Sequence, residues 1–466
     1  MTVRILYKTL SVLLGIILII SLIACSKGLE FRYQSDEYVA SLIAEESPTY
    51  PATDFIVFSD PHIFSTVLGT ESAALEEYLS EDRKLLRESE RILKSLVETI
   101  KQEKADFVII PGDLTKDGEK VCHELAASYL QQIEASGKQV YVVPGNHDIL
   151  NPHANSYEGD TATPVPSVTP EEFSQIYQAF GYGEALYLDS NSLSYVVEPK
   201  PGLWLLALDA CRYKENIGKE DPVTDGAFST ETLAWVEQML IKATQLHKAI
   251  IVTMHHNVME HYKGQEKYFG EYIVDNYLQI SHLFAEYHAR LVFTGHYHAQ
   301  DITVVNFPGE NKFLFDIETG SLVTYPCPYR LIEITQAQQL TIRSGRVTAI
   351  EGYPTGFQGY AWNYVESGLV SIAANTIEDY GVKAEAAEKL AKQVAAAFLA
   401  HYAGDEELLA GQAAISSEGT GFMGWVVVFV RKGMVKSLWH DLSPADNNVT
   451  IDLKTGELNY LSRPLR

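Results

Sequence analysis

The stretch KQVYVVPGNHD, residues 138 to 148, decides how this chain is read. Val140 to Val143 form a β-branched and aromatic run with the composition of a buried strand. Pro144 and Gly145 break the run, because proline lacks a ladder donor and glycine bends freely. Asn146, His147 and Asp148 then follow side by side, three polar groups delivered to one place.

Four more apolar runs end the same way. Asp60 and His62 follow FIVF, and Asp113 follows FVII. His255 and His256 follow IIVTM, and His296 and His298 follow LVFT. Between these runs lie amphipathic patterns with helical spacing: EDRKLLRESERILKSLVETIKQEK, with Leu85, Ile92, Leu96 and Ile100 on one face, a second around 124 to 134, then TLAWVEQMLIKA and YLQISHLFAEYH. Alternating strands and helices predict an α/β core of largely parallel strands buried on both faces, with antiparallel additions over 301 to 348. In such sheets ligands gather at the carboxyl ends of the strands, so the separate polar clusters can converge on one crevice. Two loops flank the clusters, a Pro-, Asn-, Ser- and Thr-rich one at 149 to 170 and a tyrosine-rich one at 257 to 276.

The donor types narrow the chemistry. Carboxylate and amide oxygens with imidazole nitrogens, and no thiolate, suit Mn, Fe, Zn or Mg and argue against copper-thiolate or iron–sulfur centres. Asp60 and His62 are two apart, as are His296 and His298, and alternate residues of an extended chain face one side. With Asp113, Asn146 and His255 these make seven candidate ligands, more than one tetrahedral ion takes and suited to two ions sharing a carboxylate. Taken singly, each histidine at a strand end is more often a hydrogen-bonded surface or core residue than a ligand. Their joint order at the ends of apolar runs is what carries the metal reading.

SDPH, PGDL, PGNHD, MHH and GHYH together resemble the five-block signature of the calcineurin-like metallophosphoesterases, over roughly residues 53 to 335. The resemblance implies an α+β sandwich, central β layers flanked by helices. It assigns Asp60, His62 and His298 to one metal ion and Asn146, His255 and His296 to a second, with Asp113 bridging. It makes His147 the histidine beside the metal-binding asparagine, able to donate a proton to a leaving oxygen. Asp148 is then its orienting neighbour, setting its tautomer; a purely structural role for His147 is the alternative. His256 is left as a supporting residue. Lys116 stands where purple acid phosphatases carry a tyrosine ligand, so a charge-transfer iron site is not expected. GNHD leans toward the phosphodiesterase-like branches, while MHHN departs from the HHP of class III cyclic nucleotide phosphodiesterases.

Composition sets the surroundings. The chain has 36 basic and 61 acidic residues, a net charge of −25, which repels nucleic-acid phosphates, so duplex binding is not expected. A small anionic substrate is still accommodated if cations sit in its pocket. Arg4 and Lys8 precede an apolar run from Leu10 to Ala24, shorter than a spanning helix needs, as in a secretory signal. Its end, LIAC, resembles a bacterial lipoprotein cleavage box and makes Cys25 the lipid-bearing first residue of a protein held outside the cytoplasm; an uncleaved anchor is the alternative. Cys122, Cys211 and Cys327 are scattered singly, which indicates neither a disulfide framework nor a zinc knuckle.

The expected organisation is a signal at 1–24, an arm at 25–50, a catalytic domain at 51–350 and a smaller helix-rich domain at 351–466. In the last, 384 to 404 reads as a helix stopped by Gly404, and WVVVFVRKG (425 to 433) and NNVTIDLKTGEL read as strands. The expected activity is dinuclear metal-dependent hydrolysis of phosphodiesters or nucleotides, cyclic ones included. Tyr262, Tyr268 and Phe269 either offer faces for a base or pack their loop. The rivals are a broad phosphomonoesterase or nucleotidase, and a metal-holding surface lipoprotein without catalysis.

Overall fold

The computed structural model describes residues 29 to 307 and 312 to 460. The segment expected to be a signal, and Cys25, lie outside the described residues. Two seven-stranded sheets pack face to face and are flanked by helices.

The first sheet is built on β1 (Thr53–Val57), β2 (Phe107–Ile110) and β3 (Gln139–Val142), all parallel. Two short strands, β4 (Asn155–Ser156) and β5 (Thr163–Pro164), pair with each other in the loop after β3. The second sheet begins at its edge with β6 (Tyr187–Leu188) and β7 (Tyr195–Lys200). It continues through β8 (Leu203–Ala207), β9 (Ala249–Thr253), β10 (Leu291–Thr294), β11 (Asp301–Phe307) and β12 (Lys312–Glu318). The chain then returns to the first sheet with β13 (Pro328–Ile334) and β14 (Gln339–Arg346), and far later with β15 (Asn448–Asp452) and β16 (Leu458–Tyr460). The sheets are therefore mixed rather than largely parallel. β1 to β3 and the run β8, β9, β10, β12 are parallel, and antiparallel strands widen both sheets. The inner faces meet in one core where Phe55 stacks on Phe107 at 4.8 Å and meets Phe293 edge-on at 5.3 Å.

The helices that cover the sheets include α1 (Ser89–Gln102), α2 (Lys120–Glu134), α3 (Thr230–Gln245) and α4 (Tyr277–Glu286). α1 buries Ile92, Leu93, Leu96, Val97 and Ile100 at the predicted spacing. It starts later than the sequence pattern suggests, so Arg83, Lys84 and Leu85 lie on the connection before it. The segment before β1 packs on the body: Phe31, Val39 and Leu42 join the core around α3, whose Glu237 accepts from the amides of Arg32 and Tyr33.

Three helices follow β14: α5 (Phe357–Asp379), α6 (Ala384–Ala403) and α7 (Gly421–Ser437). α7 covers 425 to 433, which the sequence reading made a strand. Strand-forming residue types were outweighed by helical periodicity: Gly424, Val428 and Val435 bury on one face. Gly404 does end α6, at φ 72°. Among the described residues no helix is long and apolar enough to cross a membrane.

Candidate metal centre

β1, β2 and β3 are parallel neighbours, as are β9 and β10, so the carboxyl ends of each set open on one edge. The packed sheets bring both edges together, and the polar clusters after these strands meet there. Asp60, His62, Asp113 and His298 place ligand atoms within 4.8 Å of one another, and Asp113, His255 and His296 form a second such group. Asp113 belongs to both. Asn146 joins the second group, its Oδ1 lying 3.1 Å from His255 Nε2. The structure thus gathers all seven sequence-predicted ligands, every one of them buried.

The spacings are those of donors facing a common centre. His62 Nε2 is 3.1 Å from His298 Nε2 and 3.7 Å from Asp113 Oδ2. His298 Nε2 is 3.4 Å from Asp60 Oδ1, and His255 Nε2 is 3.3 Å from Asp113 Oδ2. Two imidazole nitrogens facing each other beside carboxylates crowd lone pairs that a cation resolves, so the residues fit divalent ions. The outer contacts set the tautomers. His255 Nδ1 donates to the Pro111 carbonyl at 2.7 Å, leaving Nε2 free to ligate. His296 Nε2 faces the Glu271 carbonyl at 3.3 Å, which leaves the lone pair on Nδ1. Burial pushes His62 and His296 well below the usual imidazole range, into the neutral form that binds metal. Burial is the largest influence on His255 and lowers it, but the Asp113 and Asp60 carboxylates and the Pro111 carbonyl together hold this histidine up at about 9.

The backbone is strained at these residues. Asp60, His62, Asp113, His296 and His298 all adopt left-handed φ, between 37° and 78°. Each costs on the order of 1–3 kcal/mol and persists only where the surroundings over-determine it, as at ligand clamps. The glycine in PGNHD has a role here too: a Cβ on Gly145 would overlap the Asp113 carboxylate and backbone nitrogen.

His147 sits beside the ligands without joining them, its ring edge-on to His62 at 4.9 Å. Its side chain keeps 23% exposure, and its amide donates to Asp113 Oδ1 at 2.9 Å. The expectation for Asp148 is corrected. Its carboxylate accepts from the backbone of Leu114, Thr115 and Gly145 and pins the two loops together. The carboxylate on His147 is Asp117, whose Oδ1 is 2.8 Å from Nδ1. Burial would lower His147, and the charges of Asp113 and Asp117 leave it raised. Asp117 is itself held by Lys116 and by Tyr78 Oη at 3.2 Å. Lys116 lies over the Tyr78 ring at 4.1 Å and is no part of either ligand group.

Sequence reasoning also missed Arg83 and Lys84, hidden in a charged run that reads as a solvated helix face. Lys84 is buried and paired with Asp82 at 3.3 Å, and Arg83 donates from Nε to Tyr402 Oη at 2.8 Å; beside burial, the charges of both act to lower His298. His256 Nε2 donates to the Thr224 carbonyl at 2.8 Å, and the ring packs against His296. Of the three aromatic residues proposed for substrate, Tyr262 is corrected: it is fully buried, with its hydroxyl 3.0 Å from that of Tyr297. Phe269 packs edge-on to Tyr297 and Phe398. Tyr268 and Phe269 line an apolar cavity that also borders Tyr272, an unforeseen neighbour whose ring lies 4.5 Å from that of His296.

The family model for calcineurin-like phosphoesterases matches residues 53–300. The chain belongs to this family of metal-dependent phosphoester hydrolases. Among solved structures it is similar to a dimetal phosphatase from Danio rerio, at 15% identity and TM-score 0.45, over 64% of this chain and 97% of that one. It is also similar to the Thermus thermophilus sulfate thiohydrolase SoxB in complex with glycerol, at 13% identity and TM-score 0.33, over 70% and 61%. No curated protein matches the sequence.

Proposed function

We propose that the chain is a dinuclear phosphodiesterase using Mn, Fe or Zn, secreted and held to the outer face of a membrane by a lipid on Cys25. The observation that supports this most is the sharing of Asp113 between two buried ligand groups. Divalent ions there would offset the phosphate's charge and acidify the attacking water. Asp60, His62 and His298 would hold one ion; Asn146, His255 and His296 the other. The attacking water gives one proton to solvent, its oxygen forms the new bond to phosphorus as the ester P–O bond breaks, and His147, oriented by Asp117, gives a proton to the departing oxygen. Arg83 supplies a positive charge near the site that suits a monoanionic diester, in a protein otherwise strongly acidic, while Lys84 is paired with Asp82.

The test compares bis-4-nitrophenyl phosphate with 4-nitrophenyl phosphate after chelation and reloading with Mn, Fe or Zn. Faster turnover of the diester is expected. Faster turnover of the monoester gives the phosphomonoesterase reading instead, and no turnover of either with any metal leaves a metal-holding protein. Globomycin-sensitive processing with a lipid mass on Cys25 is the expected result for the anchor; a free thiol there refutes it.

A further inference from the structure

A cavity of about 370 Å3 lies between α5, α6, α7 and the loop at 268 to 272. Phe269, Leu369, Val394, Phe398 and Val435 give it a hydrocarbon wall. One end is Tyr272, which lines the cavity and packs its ring on the metal-ligand candidate His296. Arg83 lines the same region, donating from Nε to Tyr402 Oη at 2.8 Å. The other end reaches the surface at Tyr380 and Arg431, both exposed and joined at 2.9 Å.

The face of α7 turned away from the cavity is an unusual surface. On α7, Phe422, Trp425 and Phe429 are 74%, 51% and 62% exposed, with Val430 beside them. Their positions, i, i+3 and i+7, make one stripe, and successive rings stack at 6.1 and 5.6 Å. From 419 to 440 the chain carries Arg431, Lys432 and Lys436 and no acid, although the whole protein is at −25. An exposed aromatic stripe with local basic residues, on a helix too short to span, is the pattern of a helix lying in a membrane interface.

We propose that this cavity takes the hydrocarbon chain of a phosphate ester drawn from a lipid bilayer, its phosphate at the metal centre and the α7 stripe resting on the bilayer. The assignment rests on the phosphoesterase reading for its chemistry and on the cavity and stripe for its substrate class. Arg83 gives the lining a positive charge, Tyr272 links it to His296, and the chain meets a mainly apolar wall, interrupted by tyrosine hydroxyls and Thr376, before the rim at Arg431.

The experiment uses the full chain loaded with Mn and a series of alkyl 4-nitrophenyl phosphates from methyl to dodecyl, kept monomeric. KM is expected to fall by up to roughly fourfold per buried methylene until the cavity is filled, then level. Ala373→Trp, which fills the cavity from α5, flattens that series, and retained metal content and melting temperature show that it folds. Phe422→Glu, Trp425→Glu and Phe429→Glu combined lower the rate on dodecyl ester in phosphatidylglycerol vesicles at least tenfold and spare the methyl ester in solution. A KM independent of chain length overturns the proposal, as does a triple variant with undiminished vesicle rate. So does a stable dimer that the triple variant dissociates, which assigns the stripe to a second copy. Calorimetric binding of dodecyl phosphate against methyl phosphate separates the two readings. Tighter dodecyl binding in a protein that hydrolyses no ester removes the phosphoesterase reading alone, and equal binding removes the cavity assignment.

Discussion

His147 and Asp117 show at the residue scale how a site divides between sequence and space. The ligands could be named from sequence because each ends an apolar run, and strand ends converge. The partner of His147 could not: adjacency suggested Asp148, but a turn points neighbouring side chains apart, and Asp117 arrives from the preceding strand's loop. His147→Asn is expected to lower kcat about 10²- to 10⁴-fold on an ester with a poor leaving group, and far less on 4-nitrophenyl esters, whose leaving oxygen needs no proton. Equal losses on both would refute proton donation. Asp117→Asn removes a charge that raises His147, so the alkaline limb of the pH–rate profile is expected to move to lower pH. An unmoved limb contradicts Asp117 as the positioning residue.

Elements were legible where periodicity and residue type agreed, as in β1, β2, β3, β9 and β10. They were misread where the two conflicted: valine and aromatic content argued for a strand at 425 to 433, and the 3.6-residue spacing of its buried face made α7. The Tyr-rich loop was legible as a loop but not in its packing, since only the fold shows Tyr262 sealed against Tyr297 while Tyr272 meets His296. The turn after β3 is tightly constrained. Gly145→Ala would press a methyl group on the Asp113 backbone, which cannot swing aside as a flexible side chain does. A loss of about 1–3 kcal/mol in stability with reduced metal content is expected from denaturation and elemental analysis. Wild-type stability and metal content in this variant would contradict the account of the turn.

Across the whole molecule, a buried ionic network ties α6 and the sequence after it to the second sheet. His261 Nδ1 is 2.8 Å from Asp301 Oδ1 and its Nε2 3.3 Å from Asp316 Oδ2; His401 Nδ1 is 2.8 Å from Glu406. These histidines are single in the sequence and far apart, so nothing there marks them as a cluster. Burial lowers both, but Asp316 and Asp301 hold His261 well above its ordinary 6.5, and Glu406 raises His401. Burial pushes the Glu318 carboxyl up to about 8 from 4.5. The folded state therefore keeps protons that the unfolded chain releases, and stability falls with rising pH. The histidine contribution is complete below 6.5 and lost through the higher folded values, while that of Glu318 is lost between 4.5 and 8. Tm is expected to decline from pH 6.5 to beyond 8; a rise over that range would contradict this ordering of charges. The centre itself is tested most directly by anomalous scattering from crystals of the reloaded protein, with Asp113→Ala alongside. Two ions about 3.5–4 Å apart, bridged by Asp113 and both lost in the variant, are predicted; a single ion, or two retained without that carboxylate, would contradict the dinuclear account.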